Sequence, residues 1–290
     1  MFACVLTASP ETRALTPDTT ESLRNGWGGG ALRWLSPRVA AEFDMPVRPE
    51  GLETARAGLG EMGIDVNVLP IEGRRKRLLL ADMDSTMIRQ ECIDELAAEA
   101  GVGDRVAAIT ARAMNGEIGF EGALRERVGL LAGLPEDVIA RVIETRITLM
   151  PGGPELIATM KAHGAVTALV SGGFTAFTRV IAARIGFDWN RANVLLAEDG
   201  RLTGRVADPI LGREAKVAAL EELCAEHGLS EDEAVAVGDG ANDLGMLGRA
   251  GMGVALHAKP AVQAQADIRI NHGDLTALLY LQGYTRDAFA

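Results

Sequence analysis

Two aspartates one residue apart, Asp82 and Asp84, open the part of this chain whose residue types could do chemistry. Downstream lie Ser171-Gly172-Gly173, then Lys216, then the acidic loop Gly238-Asp239-Gly240-Ala241-Asn242-Asp243. Carboxylates gathered in one place repel each other and any phosphate. A hard divalent cation with oxygen ligands is the economical resolution, and magnesium suits it. Ser171 offers a hydroxyl beside two glycines whose backbone amides can approach an anion closely. Lys216 taken alone is a solvated helix lysine; in this company it is a cation for phosphate oxygens. Asp-Met-Asp by itself says little, because Asp commonly ends strands. A calcium loop starting at Asp239 is excluded, since it would need Gly where Leu244 stands and Glu where Ala250 stands.

These residues need elements that bring them together. Leu78 to Ala81, Val166 to Val170 and Ala234 to Val237 are continuous apolar runs, as expected of parallel strands covered on both faces. Each run ends just before one of the candidate clusters, which is where open α/β sheets place their ligands. The stretch between the first two runs is all helical, broken at Gly116, Gly133 to Pro135 and Pro151 to Pro154. It is too long for a simple crossover and predicts an inserted helical cap at about 90–150. A hairpin is expected over Asn193 to Val206, turning at Asp199-Gly200. The fold class is therefore α/β: a Rossmann-like parallel sheet with a helical cap over residues 73–290, preceded by a small α+β domain at 1–72.

The small domain reads as a strand at Phe2 to Leu6, a helix from Glu11 to Leu23, a glycine turn at Gly28 to Gly30 and a closing apolar run at Ile64 to Leu69. Arg74 to Arg77 lack interleaved aromatics and read as a solvated linker. Gly58, Gly60 and Gly63 satisfy a dinucleotide-binding spacing, but a helical segment precedes them and a strand follows. That order is the reverse of the fingerprint, so they read as a helix stop. Every chemical candidate lies after Leu78, so the region before Gly73 is expected to be dispensable for chemistry.

With 290 residues, 48% of them hydrophobic, the chain can bury a sizeable core. A formal net charge of -11 argues against broad nucleic-acid binding. No apolar run reaches membrane-spanning length and the N-terminus lacks a basic signal start, so a soluble cytoplasmic protein is expected. Cys4, Cys92 and Cys224 show neither disulfide nor zinc spacing. His163, His227, His257 and His272 are scattered and read as incidental.

In order and spacing, Asp82-Met83-Asp84-Ser85-Thr86, Ser171, Lys216 and the loop Gly238 to Asp243 resemble the four motifs of the haloacid dehalogenase-like phosphatases. The resemblance covers Leu78 to about Leu279, and Asp82 to Thr86, Val170-Ser171-Gly172-Gly173-Phe174 and the loop Gly238 to Asp243 together narrow it to members acting on phosphoserine. It implies that Asp82 is the nucleophile and becomes an aspartyl-phosphate, and that Asp84 is the general acid and base. It implies that Asp82, the Asp84 backbone carbonyl and Asp239 hold Mg2+, with Asn242 and Asp243 completing or supporting that shell. Ser171, Gly172 and Lys216 would stabilise the phosphate oxygens, and Asn242 is also expected among the substrate-binding residues. In the cap, Glu91 and Arg127 align with the pair that grips the amino and carboxylate groups of phosphoserine. Met114 and Phe120 align with apolar residues that shield the phosphate. Each also has an ordinary reading, as helix start, exposed helix arginine or cap core.

The reaction implied is hydrolysis of phosphoserine to serine, the last step of serine biosynthesis. The open alternatives are another small phosphomonoester, a phosphotransferase, or a catalytically silent amino-acid sensor. Residues 1–72 loosely resemble ACT-like regulatory domains, and a homodimer is allowed.

Overall fold

A computed structural model of the chain describes residues 1–115 and 117–290; the break expected at Gly116 lies outside them. The chain begins with β1 (Phe2–Ala8), α1 (Pro17–Gly26), β2 (Arg33–Ser36), β3 (Ala40–Met45), α2 (Leu52–Gly60) and β4 (Ile64–Pro70). The four strands form an antiparallel sheet in the order β2-β3-β1-β4. Leu6, Leu15, Phe43, Leu52, Ile64 and Val66 close a core on one of its faces. The first helix starts at Pro17 rather than at the expected Glu11. Thr16 is extended and its hydroxyl oxygen accepts the Thr19 amide at 3.2 Å, a side-chain cap followed by proline at the first helical position. The decoy glycines close α2 ahead of β4: Gly58 and Gly60 are helical, and Gly63 has a φ of 75°. An open groove of about 640 Å3 between α1 and α2, lined by Asp18, Trp27, Leu59 and Met62 among others, contains none of the catalytic candidates.

The other face of β4 departs from its pattern. Ile64-Asp65-Val66-Asn67-Val68 alternates apolar and polar, which ordinarily turns the polar residues to water. Here Asp65 and Asn67 are buried. Asp65 accepts the backbone amides of Asn271, His272 and Gly273 at 2.8, 3.0 and 2.9 Å. Asn67 accepts the Arg269 amide and donates to the Arg269 carbonyl, standing in for a strand neighbour. The basic linker is likewise engaged: Arg74 pairs with the buried Glu42, which also binds Arg33, and the Lys76 amide is held by Gln282. The region before Gly73, expected to be dispensable, is thus tied to residues 269–273 by buried polar contacts.

There follow β5 (Leu78–Ala81) and the helices α3 (Cys92–Glu99), α4 (Gly103–Met114), α5 (Phe120–Gly129) and α6 (Val138–Thr145). Next come α7 (Gly153–Ala162), β6 (Val166–Phe174), α8 (Thr175–Ile185), β7 (Trp189–Asn193), β8 (Leu195–Glu198) and β9 (Arg201–Val206). The chain continues with α9 (Arg213–His227), β10 (Ala234–Gly238), α10 (Leu244–Arg249), β11 (Met252–Leu256), α11 (Pro260–Gln263), β12 (Ile268–Ile270) and α12 (Ala277–Leu281). A six-stranded sheet runs β12-β11-β10-β5-β6-β7. The pairs β10–β11, β11–β12 and β6–β7 are parallel. Leu78 to Ala81 and Ala234 to Val237 are wholly buried, which is why neither run shows alternation.

The chain divides into two compact units. Met1–Leu80, Pro151–Thr167 and Leu220–Ala290 form one; Ala81–Met150 and Ala168–Ala219 form the other. In the second, β8 and β9 pair antiparallel around Asp199 and Gly200, whose positive φ values of 50° and 71° suit a tight hairpin turn. Among the described residues no helix is long and apolar enough to cross a membrane.

Candidate active site

Asp82 follows the last residue of β5 and is 5% exposed. Lys216, near the start of α9, is 1% exposed, and its Nζ lies 2.6 Å from Asp82 Oδ1. A buried ammonium is costly without an anionic partner, and the Asp82 carboxylate supplies one at 2.6 Å.

Asp84 lies two residues on. Its Oδ1 accepts the Cys92 amide at 3.0 Å and its Oδ2 accepts the Ser171 hydroxyl at 3.3 Å. Removal from water pushes the Asp84 carboxyl up to about 6, and the neighbouring Glu91 carboxylate pushes the same way; the Cys92 and Ser171 hydrogen bonds pull it back. The Cys92 thiol is itself driven up by burial and by the Asp84 charge, and stays neutral. Cys92, at the first residue of α3, escapes sequence reasoning because its amide rather than its side-chain type makes the backbone contact. All three cysteines are free and buried.

Ser171 was expected in a loop after Val170, yet β6 continues to Phe174 with a register shift between Val170 and Phe174. The Asn193 side chain donates to the Gly172 carbonyl at 2.8 Å, and buried Phe174 pairs with Asn193, which keeps the glycines extended. Ser171 Oγ also accepts the Gly173 amide at 2.8 Å. A Cβ on Gly173 would fall 2.5 Å from Asp84 Oδ2, so only glycine leaves the carboxylate its position.

Residues 91–127 supply the remaining candidates of this unit. Phe120 opens α5, 39% exposed, with its ring against both Gly172 and Gly212. Met114 ends α4 with 67% of its surface exposed. Glu91 is exposed and receives the Ser85 hydroxyl at 2.7 Å. Arg127 is half-buried; its guanidinium donates to the Ala123 carbonyl and the Thr110 hydroxyl. Burial lowers the Arg127 pKa, while the Asp94 and Glu91 carboxylates act to raise it.

In the other unit, the loop after β10 folds back on itself. Asp243, fully buried, accepts the amides of Asp239 and Gly240 at 3.1 and 2.9 Å. A Cβ on Gly238 would lie 2.4 Å from the Asp243 carboxyl carbon, so this return requires glycine. Asn242 is half-buried, with its side-chain oxygen against Gly240. Within this unit Asp239 and Asp243 each offer a carboxylate oxygen, hard donors of the kind that suit a small divalent cation.

Comparison with known proteins agrees with this geometry. The sequence model of the haloacid dehalogenase-like hydrolases matches residues 79–248. A phosphoserine phosphatase of Archaeoglobus fulgidus is 46% identical over 84% of this chain and 69% of its own length. One of Haemophilus influenzae is 49% identical over 70% of this chain, which spans 65% of that relative. A crystal structure of a haloacid dehalogenase family hydrolase from Salmonella enterica superposes with a TM-score of 0.87 at 30% identity, covering 97% of this chain and 98% of that one. With that model spanning more than half of the sequence, the chain belongs to the haloacid dehalogenase-like hydrolases and, among them, is similar to the phosphoserine phosphatases.

Proposed function

We propose that this chain hydrolyses phosphoserine to serine and phosphate, as a cytoplasmic magnesium-dependent enzyme and the last step of serine biosynthesis. The observation that carries the reading is the buried Asp82–Lys216 pair beside a carboxyl, Asp84, that titrates near neutrality. Asp82, paired with Lys216, attacks phosphorus; the bond from phosphorus to the serine oxygen breaks, and the leaving oxygen takes the Asp84 proton. Asp84, now a carboxylate, takes a proton from the water that attacks the aspartyl-phosphate, and phosphate leaves with Asp82 restored. A carboxyl near pH 6 can serve in both directions. Ser171, the Gly172 amide and Lys216 hold the phosphate oxygens.

The residues that would hold magnesium are Asp82, the Asp84 carbonyl and Asp239, with Asp243 supporting them through its two amide contacts. When bound, the ion supplies positive charge that offsets the crowded carboxylates and the phosphate. In the cap, Arg127 takes the substrate carboxylate and Glu91 its ammonium, while Met114 and Phe120 keep water from the phosphate. We assign residues 73–290 to the catalytic domain, with the cap at about 90–150, and residues 1–72 to a small α+β domain.

Phosphate release from a panel of phosphomonoesters, with magnesium and with chelator, tests the reading. Phosphoserine should be preferred and chelation should abolish turnover. Phosphoethanolamine, which lacks the carboxylate, should be poor. Arg127→Ala should cost roughly 30-fold or more in kcat/KM on phosphoserine and little on phosphoethanolamine. Equal damage to both substrates would remove Arg127 from substrate recognition.

A further inference from the structure

We propose that Ser85 is a positioning residue for substrate selection: it holds Glu91 so that one carboxylate oxygen is committed to the protein and the other faces the substrate ammonium. This rests on the phosphoserine reading above. Ser85 has a left-handed backbone, with φ of 54°, a conformation that costs a non-glycine residue about 1 to 2 kcal/mol. That conformation brings the Ser85 amide to the Gln90 carbonyl at 3.2 Å and its hydroxyl to Glu91 Oε1 at 2.7 Å. A short loop is closed at both of its ends by one residue.

The surroundings stiffen that loop from outside. Gln90 Oε1 accepts the Thr148 amide and Gln90 Nε2 donates to the Thr148 hydroxyl, both at 2.9 Å. The amides of Arg89 and Met150 reach across to the carbonyls of Thr148 and Met87. The two chain segments entering and leaving the cap are therefore knitted together beside Glu91. Glu91 occupies the N-cap position of α3 but makes no side-chain cap, so its carboxylate is not used by its own helix. It is also exposed. An exposed glutamate ordinarily samples several rotamers, and ordering it at the moment of binding costs affinity. The Ser85 hydroxyl removes that freedom in advance. A carboxylate has acceptor sites to spare, so one hydrogen bond leaves the second oxygen available for an ammonium.

The test compares phosphoserine with its analogue lacking the amino group, 3-phosphooxypropionate, in the full-length protein. Ser85→Ala and Ser85→Gly are both needed, since glycine loses the hydroxyl but relieves the left-handed strain and guards against a folding artefact. Both should raise KM for phosphoserine about tenfold with kcat within about twofold, as expected for a lost hydrogen bond to a charged group. KM for the analogue should not move. On a Glu91→Gln background, Ser85→Gly should add nothing further. Equal KM increases on both substrates, or additive effects in the double variant, would overturn the assignment. A wild type with no preference for phosphoserine over the analogue would overturn the substrate reading and this assignment with it, whereas a preference left undiminished by Ser85→Gly overturns the assignment alone.

Discussion

Asp65 on β4 and the pair Asp82 and Asp84 after β5 are carboxylates withdrawn from water at two sheets, and they are treated in opposite ways. Asp65 is surrounded by three backbone amides of one loop, donors that cannot rotate away or change their charge. Asp84 has one amide and one hydroxyl, and a second carboxylate nearby. Asp82 is paired with a lysine side chain rather than with backbone. Saturating a carboxylate with fixed donors makes a fastener. Leaving it short of donors, beside another charge, makes a group that can accept and release protons or attack an electrophile.

Three substitutions test that contrast. The largest effect is expected from Asp82→Asn, which keeps shape and polarity but removes the carboxylate proposed as nucleophile: turnover should fall by about a thousandfold or more while circular dichroism and melting remain native-like. Substantial turnover in the folded variant would put the attacking group elsewhere. Asp65→Ala should do the reverse. It strands three amides, one of them in the buried Gly273, at a cost of about 3 kcal/mol in urea unfolding, with kcat near wild type at low temperature. A loss of activity without a loss of stability would erase the distinction between fastener and reactive group.

The smallest effect belongs to Asp84→Asn in metal-free protein. The Asp84 pKa is about 6 in the folded chain against an ordinary 3.8. The stability contributed by the neutral carboxyl is therefore fully present below pH 3.8 and is lost as pH rises through 6. The asparagine has nothing to ionise. It should match wild type near pH 4 and be more stable at pH 7 by on the order of 1 to 2 kcal/mol, after discounting for partial exposure. A variant less stable than wild type at pH 7 would mean that the fold favours the ionised carboxylate.

The chain's order of apolar runs was sufficient to read the central strands. Leu78 to Ala81 and Ala234 to Val237 lack alternation because both faces are covered, and the aspartates proposed to react follow them directly. The turn at Asp199-Gly200 was equally legible, because its demand for positive φ is met by local residue types. Local chemistry also contained the start of the first helix, in Thr16 followed by Pro17, although the apolar pattern pointed earlier. Other features are invisible locally. The alternation of Ile64 to Val68 assigns Asp65 and Asn67 to water, and only the arrival of residues 269–273 more than two hundred positions later makes them buried fasteners. The same holds for the Ser171 hydroxyl on Asp84 and the lysine on Asp82. Residue types and their order determined which strands form and which groups could react. Tertiary structure decided which carboxylate keeps its solvation, which is saturated by amides and which is left poised to titrate, because desolvation and donor supply depend on neighbours distant in sequence.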